Sequence, residues 1–177
     1  VRSLVRLSDG EVIAIDGKTL RQSYDPTDDK AAIHMVSAWA TTNRLVLGQR
    51  KVDTKSNEIT AIPQLIKLLE LEGCIVTIDA MGCQKQIAKQ IIERNADYVL
   101  ALKDNQGNLF ADVQQIFAHA HSCNFADIEH SFDQTVKKGH GRVEIRRCWT
   151  MGQVKYLVDA EKWETFTSIY GATIVLA

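Results

Sequence analysis

The chain has 177 residues, about one domain's worth and enough to bury a sizeable core. It is 45% hydrophobic and 24% charged, with two prolines and no low-complexity tract, which excludes a disordered segment. No apolar run approaches the roughly 18 residues of a membrane span, and with a formal net charge of −1 any nucleic-acid contact must come from a local basic patch.

The first residues lack the basic, apolar and small-residue succession of a signal peptide. Cys74, Cys83, Cys123 and Cys148 are widely spaced and form no CxxC pair, so they are read as reduced packing thiols of a cytoplasmic protein. Glu11 to Asp16 is an apolar run that ends in an acid followed by Gly17. Ile33 to Ala40 and Leu45 to Val52 are further strand-like runs, joined by a turn at 41–44. The short spacing predicts an antiparallel meander, and apolar residues on both faces predict a central position for the first strand.

The period then changes. Ile62, Leu65, Ile66 and Leu69 share one helical face, Pro63 lies near the first turn, and Gly73 is expected to close the helix. Cys74 to Asp79 is another apolar strand ending in an acid. A helix with Ile87, Ala88, Ile91 and Ile92 inward follows, then a strand over 98–102, a loop over 103–107, and a helix marked by Leu109, Val113, Ile116 and Phe117. After about Cys123 alternation returns at Val143, Ile145, Arg147 and Trp149, and 154–158 and 167–177 read as extended. The expected class is α/β, a ribonuclease H-like mixed sheet of three antiparallel strands then βα units. A core over 1–123 would carry a β-rich insertion over 124–177.

In that topology the first and fourth strands are neighbours, so Asp16 and Asp79 come to one edge of the sheet. Paired carboxylates there suit Mg²⁺, which binds through one or two carboxylates and keeps water and substrate phosphate. Such ions activate an attacking oxygen and stabilise a leaving one in phosphodiester cleavage. Either Asp alone equally fits a turn or helix cap.

Five runs stand in order: IAIDGKTLR over 13–21, KSNEI over 55–59, IVTIDAMGCQ over 75–84, LKDNQ over 102–106 and GHGRVEIR over 139–146. Together they closely resemble the H-repeat-associated insertion-sequence transposases, a bacterial group of DDE enzymes. The resemblance runs from about Glu11 to Trp149 and more weakly to the end. It implies a ribonuclease H-like core, Mg²⁺ (or Mn²⁺ in its place), and DNA as partner. It makes Asp16 the first catalytic acid and Asp79 the second. The implied reaction is hydrolysis at a transposon end, then attack of the freed 3′-hydroxyl on target DNA, with no covalent protein intermediate. The reaction class also implies a synaptic homodimer, in a bacterial cytoplasm at the nucleoid.

The third acid is open. Glu144 stands among Arg142, Arg146 and Arg147, but in a strand-like stretch, where pairing with a neighbouring arginine is the competing reading. The family's own third glutamate is expected in a later helical motif, and the family carries a helical N-terminal region. The chain is therefore expected to be part of a protein about twice as long, and a non-catalytic DNA-binding or transposase-inhibiting remnant is the alternative function. A structure-specific nuclease on the same fold is a third.

Lys18, Arg21, Lys103, Asn105 and Gln106 are candidates for DNA phosphate contacts near the acids, and Arg142 and Arg146 within the basic cluster at 137–147. Alternation puts Arg142, Glu144 and Arg146 on one face and Arg147 on the other. Glu58 is either an extra carboxylate for the metal or a first-turn acid favoured by the helix dipole. His119 and His121 point apart on a helix, which argues against a zinc site with Cys123. The three tryptophans read as packing.

Overall fold

The computed structural model describes residues 7–20, 33–52, 58–139, 142–152 and 154–176. The chain divides into two compact units, Val1–Gln106 and Gly107–Ala177.

The first unit is a mixed α/β layer. Its strands are β1 (Val12–Leu20), β2 (Ile33–Ala40), β3 (Leu45–Val52), β4 (Ile75–Ile78) and β5 (Asp97–Leu100), in the sheet order β3-β2-β1-β4-β5. The β1–β2 and β2–β3 pairs are antiparallel, and β1–β4 and β4–β5 are parallel. β1 is thus the central strand, as its doubly apolar sequence predicts. Helix α1 (Glu58–Ile66) connects β3 to β4, and α2 (Lys85–Ile92) connects β4 to β5.

Alternation decides which side chains meet the helices. Ile13, Ile15, Val36, Ala38, Val76 and Ile78 are buried and join Ile62, Leu65, Ile66, Ile87 and Ile91 in one core. Each large aliphatic side chain there contributes about 1.5–3 kcal/mol by leaving water. Gly48 lets α1 approach β3 closely, since a Cβ there would stand 3.1 Å from a Leu65 methyl.

Helix α1 is shorter than its periodicity predicts. It ends at Ile66, where the bonding tightens: Lys67 N still reaches Pro63 O at 3.2 Å, but Leu68 N and Leu69 N reach back only three residues, to Leu65 O and Ile66 O. Pro63 lies inside the described helix rather than near its first turn. Residues 67–69 continue as turns, and Leu69 and Leu71 are buried without being helical, which extends the apolar rhythm past the helix. Gly73 therefore closes no helix. It turns the chain into β4 at φ +72°, and a Cβ there would lie 2.7 Å from an Asp9 carboxylate oxygen.

The second unit holds α3 (Gly107–Ser122) and an antiparallel sheet of β6 (Ser131–Gly139), β7 (Arg142–Met151) and β8 (Ile169–Leu176) in that order. α3 lies against this sheet: a Cβ on Gly171 of β8 would approach the Phe117 ring to 3.0 Å. β6 was not expected from the sequence, and the stretch read as extended over 154–158 is instead a 3-10 turn at Val154–Tyr156. Phe125 stacks on Trp149 at 5.8 Å, His121 meets both edge-on, and Phe132 joins from β6. His121 is thus part of an aromatic cluster. Among the described residues no helix is long and apolar enough to cross a membrane.

Candidate functional site

The register of β1 on β4 runs Val12–Ile75, Ile13–Val76, Ala14–Thr77 and Ile15–Ile78. Asp16 and Asp79 each follow directly on the last β1–β4 pair. Asp79 lies just past the end of β4, whereas β1 runs on to Leu20 paired with β2, so Asp16 is mid-strand and not the strand end that the sequence predicts. Both are exposed. Ile15 and Ile78 are buried, and alternation turns Asp16 to the opposite face, where Ser37 stands across from it on β2. Ser37 Oγ in turn accepts from Gln49 Nε2 on β3 at 3.1 Å.

Asp79 begins a 3-10 turn, Ala80–Gly82, as its N-cap, and its Oδ1 accepts from the Met81 N–H at 3.1 Å. The cap seen in the sequence as a competing role is therefore present, on an acid that also faces solvent. Gly82 is buried beneath the turn, where a Cβ would come within 2.2 Å of an Ile78 methyl and 3.2 Å of an Ile62 methyl. Only glycine fits there without displacing the core. Cys83 is buried beside it, and burial pushes its thiol up to about 11, which leaves it protonated and unreactive at neutral pH.

The loop after β5 reaches the same turn. Asn105 donates its side-chain amide to Ala80 O at 2.7 Å, and Gln106 donates to Cys83 O at 2.9 Å. Lys18 and Lys103 are exposed. Arg21 lies outside the described residues, as do His140 and positions 55–57 of the second sequence run.

Glu58 is the first residue of α1 and lies against Gly17, next to Asp16. A Cβ on Gly17 would fall 2.0 Å from Glu58 Oε1. His34 Nε2 holds that oxygen at 2.6 Å, and His34 Nδ1 shares a hydrogen with Thr19 Oγ at 2.9 Å. Sequence reasoning missed His34. The available signal was its place on the core-facing side of β2, in step with Val36 and Ala38, where an imidazole needs a partner. Glu11, 1% exposed, was also passed over. Its carboxylate accepts from Thr42 N at 2.8 Å and Asn43 Nδ2 at 3.0 Å.

Glu144 belongs to the second unit. It lies on β7, and its carboxylate is ion-paired with the Nε of Arg146 on the same face. Arg147, on the other face, donates to Gln134 Oε1 at 2.9 Å. Among the described residues no group of three His, Cys, Asp or Glu side chains is gathered closely enough to hold a metal ion by itself.

A family model described as a transposase DDE domain matches residues 7–149. YncI of Escherichia coli O157:H7, named as a transposase, is 51% identical over 140 residues, covering 79% of this chain and 35% of its own. YhhI of Escherichia coli strain K12, named as an H repeat-associated transposase, is 49% identical over 138 residues, 78% of this chain and 36% of its own. A protein of the dhlA 3′ region of Xanthobacter autotrophicus is 44% identical over 154 residues, 85% of this chain and 50% of its own. The chain thus spans between about a third and a half of these relatives. Among solved structures, a chain of the simian T-cell lymphotropic virus intasome in complex with the PP2A regulatory subunit B56 gamma covers 70% of this chain, and this chain 47% of it, at 9% identity and a TM-score of 0.40, too slight a likeness to assign a fold.

Proposed function

The chain belongs to the transposases with a DDE domain, and from that premise we propose that it supplies two acids of a DNA-cleaving and strand-joining catalytic core, Asp16 and Asp79. One observation supports the reading: Ile15 pairs with Ile78, and each acid is the residue directly after that last β1–β4 pair. The antiparallel β3-β2-β1 set followed by parallel β4 and β5 supports a ribonuclease H-like core.

The donor set fits a hard divalent cation. Two exposed carboxylates present oxygen ligands, and Mg²⁺ favours a few carboxylates with its remaining positions left to water and phosphate. When bound, Mg²⁺, or Mn²⁺ in its place, supplies Lewis-acid activation of a phosphodiester. Asp16 and Asp79 hold the ion, and the Met81 N–H fixes the orientation of Asp79. Lys18 and Lys103 are phosphate contacts of the first unit, with Arg21 in the same role, and Arg142 and Arg146 are separate candidates for phosphate contact on the second unit. Water hydrolyses a phosphodiester at a transposon end, and the freed 3′-hydroxyl oxygen then attacks a target-strand phosphorus and displaces that strand's 3′-oxygen, in a pair of protomers in the bacterial cytoplasm.

The test is a crystal of the chain soaked in Mn²⁺. An anomalous peak between the Asp16 and Asp79 carboxylates, lost in Asp79→Ala, is the expected result. Carboxylates turned away from each other, with no peak, would overturn the assignment.

The ion pair of Glu144 with Arg146 favours a second reading for the chain by itself, as a DNA-binding but non-cutting segment whose third acid comes from elsewhere in the longer protein. Incubation with transposon-end DNA and Mn²⁺ separates the two, since the second predicts a retained complex and uncut strands.

A further inference from the structure

The Asp79 turn is fastened from two sides. From the core, Gly82 and Cys83 are buried, and Gly82 N donates to Asp79 O at 3.1 Å. From the neighbouring loop come two side-chain amides, each aimed at a backbone carbonyl. Ala80 O takes both the Asn105 amide at 2.7 Å and the Cys83 N–H at 3.2 Å, while Cys83 O takes the Gln106 amide at 2.9 Å. Asp79 is the cap of this turn, so a displaced turn displaces its carboxylate.

We propose that Asn105 and Gln106 are positioning residues for Asp79, which clamp the 80–83 turn to the end of β5. This rests on the reading of Asp79 as a metal-holding acid. It assigns the LKDNQ run a job distinct from phosphate contact, because the donor that would meet a phosphate is turned instead to the protein backbone. The strand pairing sets the geometry. β4 and β5 run parallel in register through Ile78–Leu100, and Ala101 N donates to Ile78 O at 3.0 Å, so the two loops leave the sheet side by side. A side-chain amide donates across this gap without adding a charge next to the acids.

The experiment compares Asn105→Ala and Gln106→Ala with the unaltered chain in three measurements. The clamp predicts faster hydrogen exchange at the amides of 82–84. It predicts Mn²⁺ affinity weakened by about 10-fold, the size of loss seen when groups orienting a metal ligand are removed. It predicts metal-free DNA affinity, measured in EDTA, changed by less than about twofold. Asn105→His, whose ring N–H can take the place of the amide donor, is expected to recover part of the Mn²⁺ affinity. The opposite pattern, weaker metal-free DNA binding with Mn²⁺ affinity and exchange unchanged, would make both residues phosphate contacts and overturn the clamp. If the unaltered chain takes up no Mn²⁺, the reading of Asp79 fails, and the exchange rates alone then decide whether the clamp exists.

Discussion

Glu11 stands just before β1 and Asp16 at its middle, and the fold treats the two carboxylates in opposite ways. Glu11 is sealed in the interior, with its oxygens engaged by Thr42 N–H and the Asn43 amide, and it pins the 41–44 turn to the start of the strand. Asp16, five residues on and midway along β1, is exposed where the parallel pairing with β4 stops, as is Asp79 across from it. A buried acid persists only where donors replace its water, and it then contributes to stability. An exposed acid contributes little to folding and is available to a ligand.

The sharpest way to break this contrast is Asp79→Asn. Asparagine caps a turn about as well as aspartate, so stability should change by less than about 0.5 kcal/mol. Mn²⁺ uptake should fall by at least about 100-fold, at the upper end of losses on disturbing a metal site, as read by electron paramagnetic resonance of the free ion. A large loss of stability with uptake intact would break the contrast between buried and exposed acids. Next is Glu11→Ala, which empties a buried site and removes the acceptor of the Thr42 N–H and the Asn43 amide, and should cost about 2 kcal/mol in urea unfolding. Its folded fraction should take up Mn²⁺ like the unaltered chain.

A smaller effect is expected at Gly17→Ala. The new methyl collides with Glu58 Oε1, and moving that carboxylate breaks its bond to His34. The expected cost is about 1 kcal/mol, the low end for an overpacked site, and an NMR shift change at the His34 ring checks it. The smallest concerns pH. Burial raises the Cys83 thiol from its ordinary value to about 11, so the folded chain holds this proton more tightly than the unfolded one. Its contribution is fully present below the ordinary thiol range and fades as pH rises through about 11. Unfolding of Cys83→Ala should therefore be less sensitive to pH across that window than that of the unaltered chain.

How much of this could be read from residues follows from what kind of signal each feature leaves. The five strands of the first unit contain apolar runs, so their order was legible, and Asp79 does follow the end of β4. The continuation of β1 past Asp16 to Leu20 was not legible, because Gly17 and the polar residues after it read as a turn. Nor was the end of α1, because buried Leu69 and Leu71 in turns imitate helical spacing. β6 escaped because Ser131 to Lys138 are exposed throughout, leaving no buried face to set a period. The tasks of Asn105, Gln106, Glu11 and Asn43 were hidden for another reason. Their partners are backbone groups or residues distant in sequence, and a polar side chain looks the same whether it faces a loop carbonyl or water. His34 with Glu58 is the intermediate case: the histidine's place on a core-facing strand position signals that it needs a partner, but not which one.

The β1–β4 pairing also has a kinetic meaning. The β1–β2–β3 meander joins near neighbours, whereas Val12 meets Ile75 only after about sixty intervening residues have been arranged. Long-range parallel pairing pays its loop-closure cost before its contacts reward it, and so comes late in folding. A slip of one residue in that pairing would also turn every β4 side chain to the wrong face. A nascent or partly folded chain can thus hold Asp16 on a formed hairpin while Asp79 has no fixed place. The two acids meet only when the sheet is complete and in register, so the capacity to gather a metal arises at the end of folding and is withheld from every earlier form of the chain.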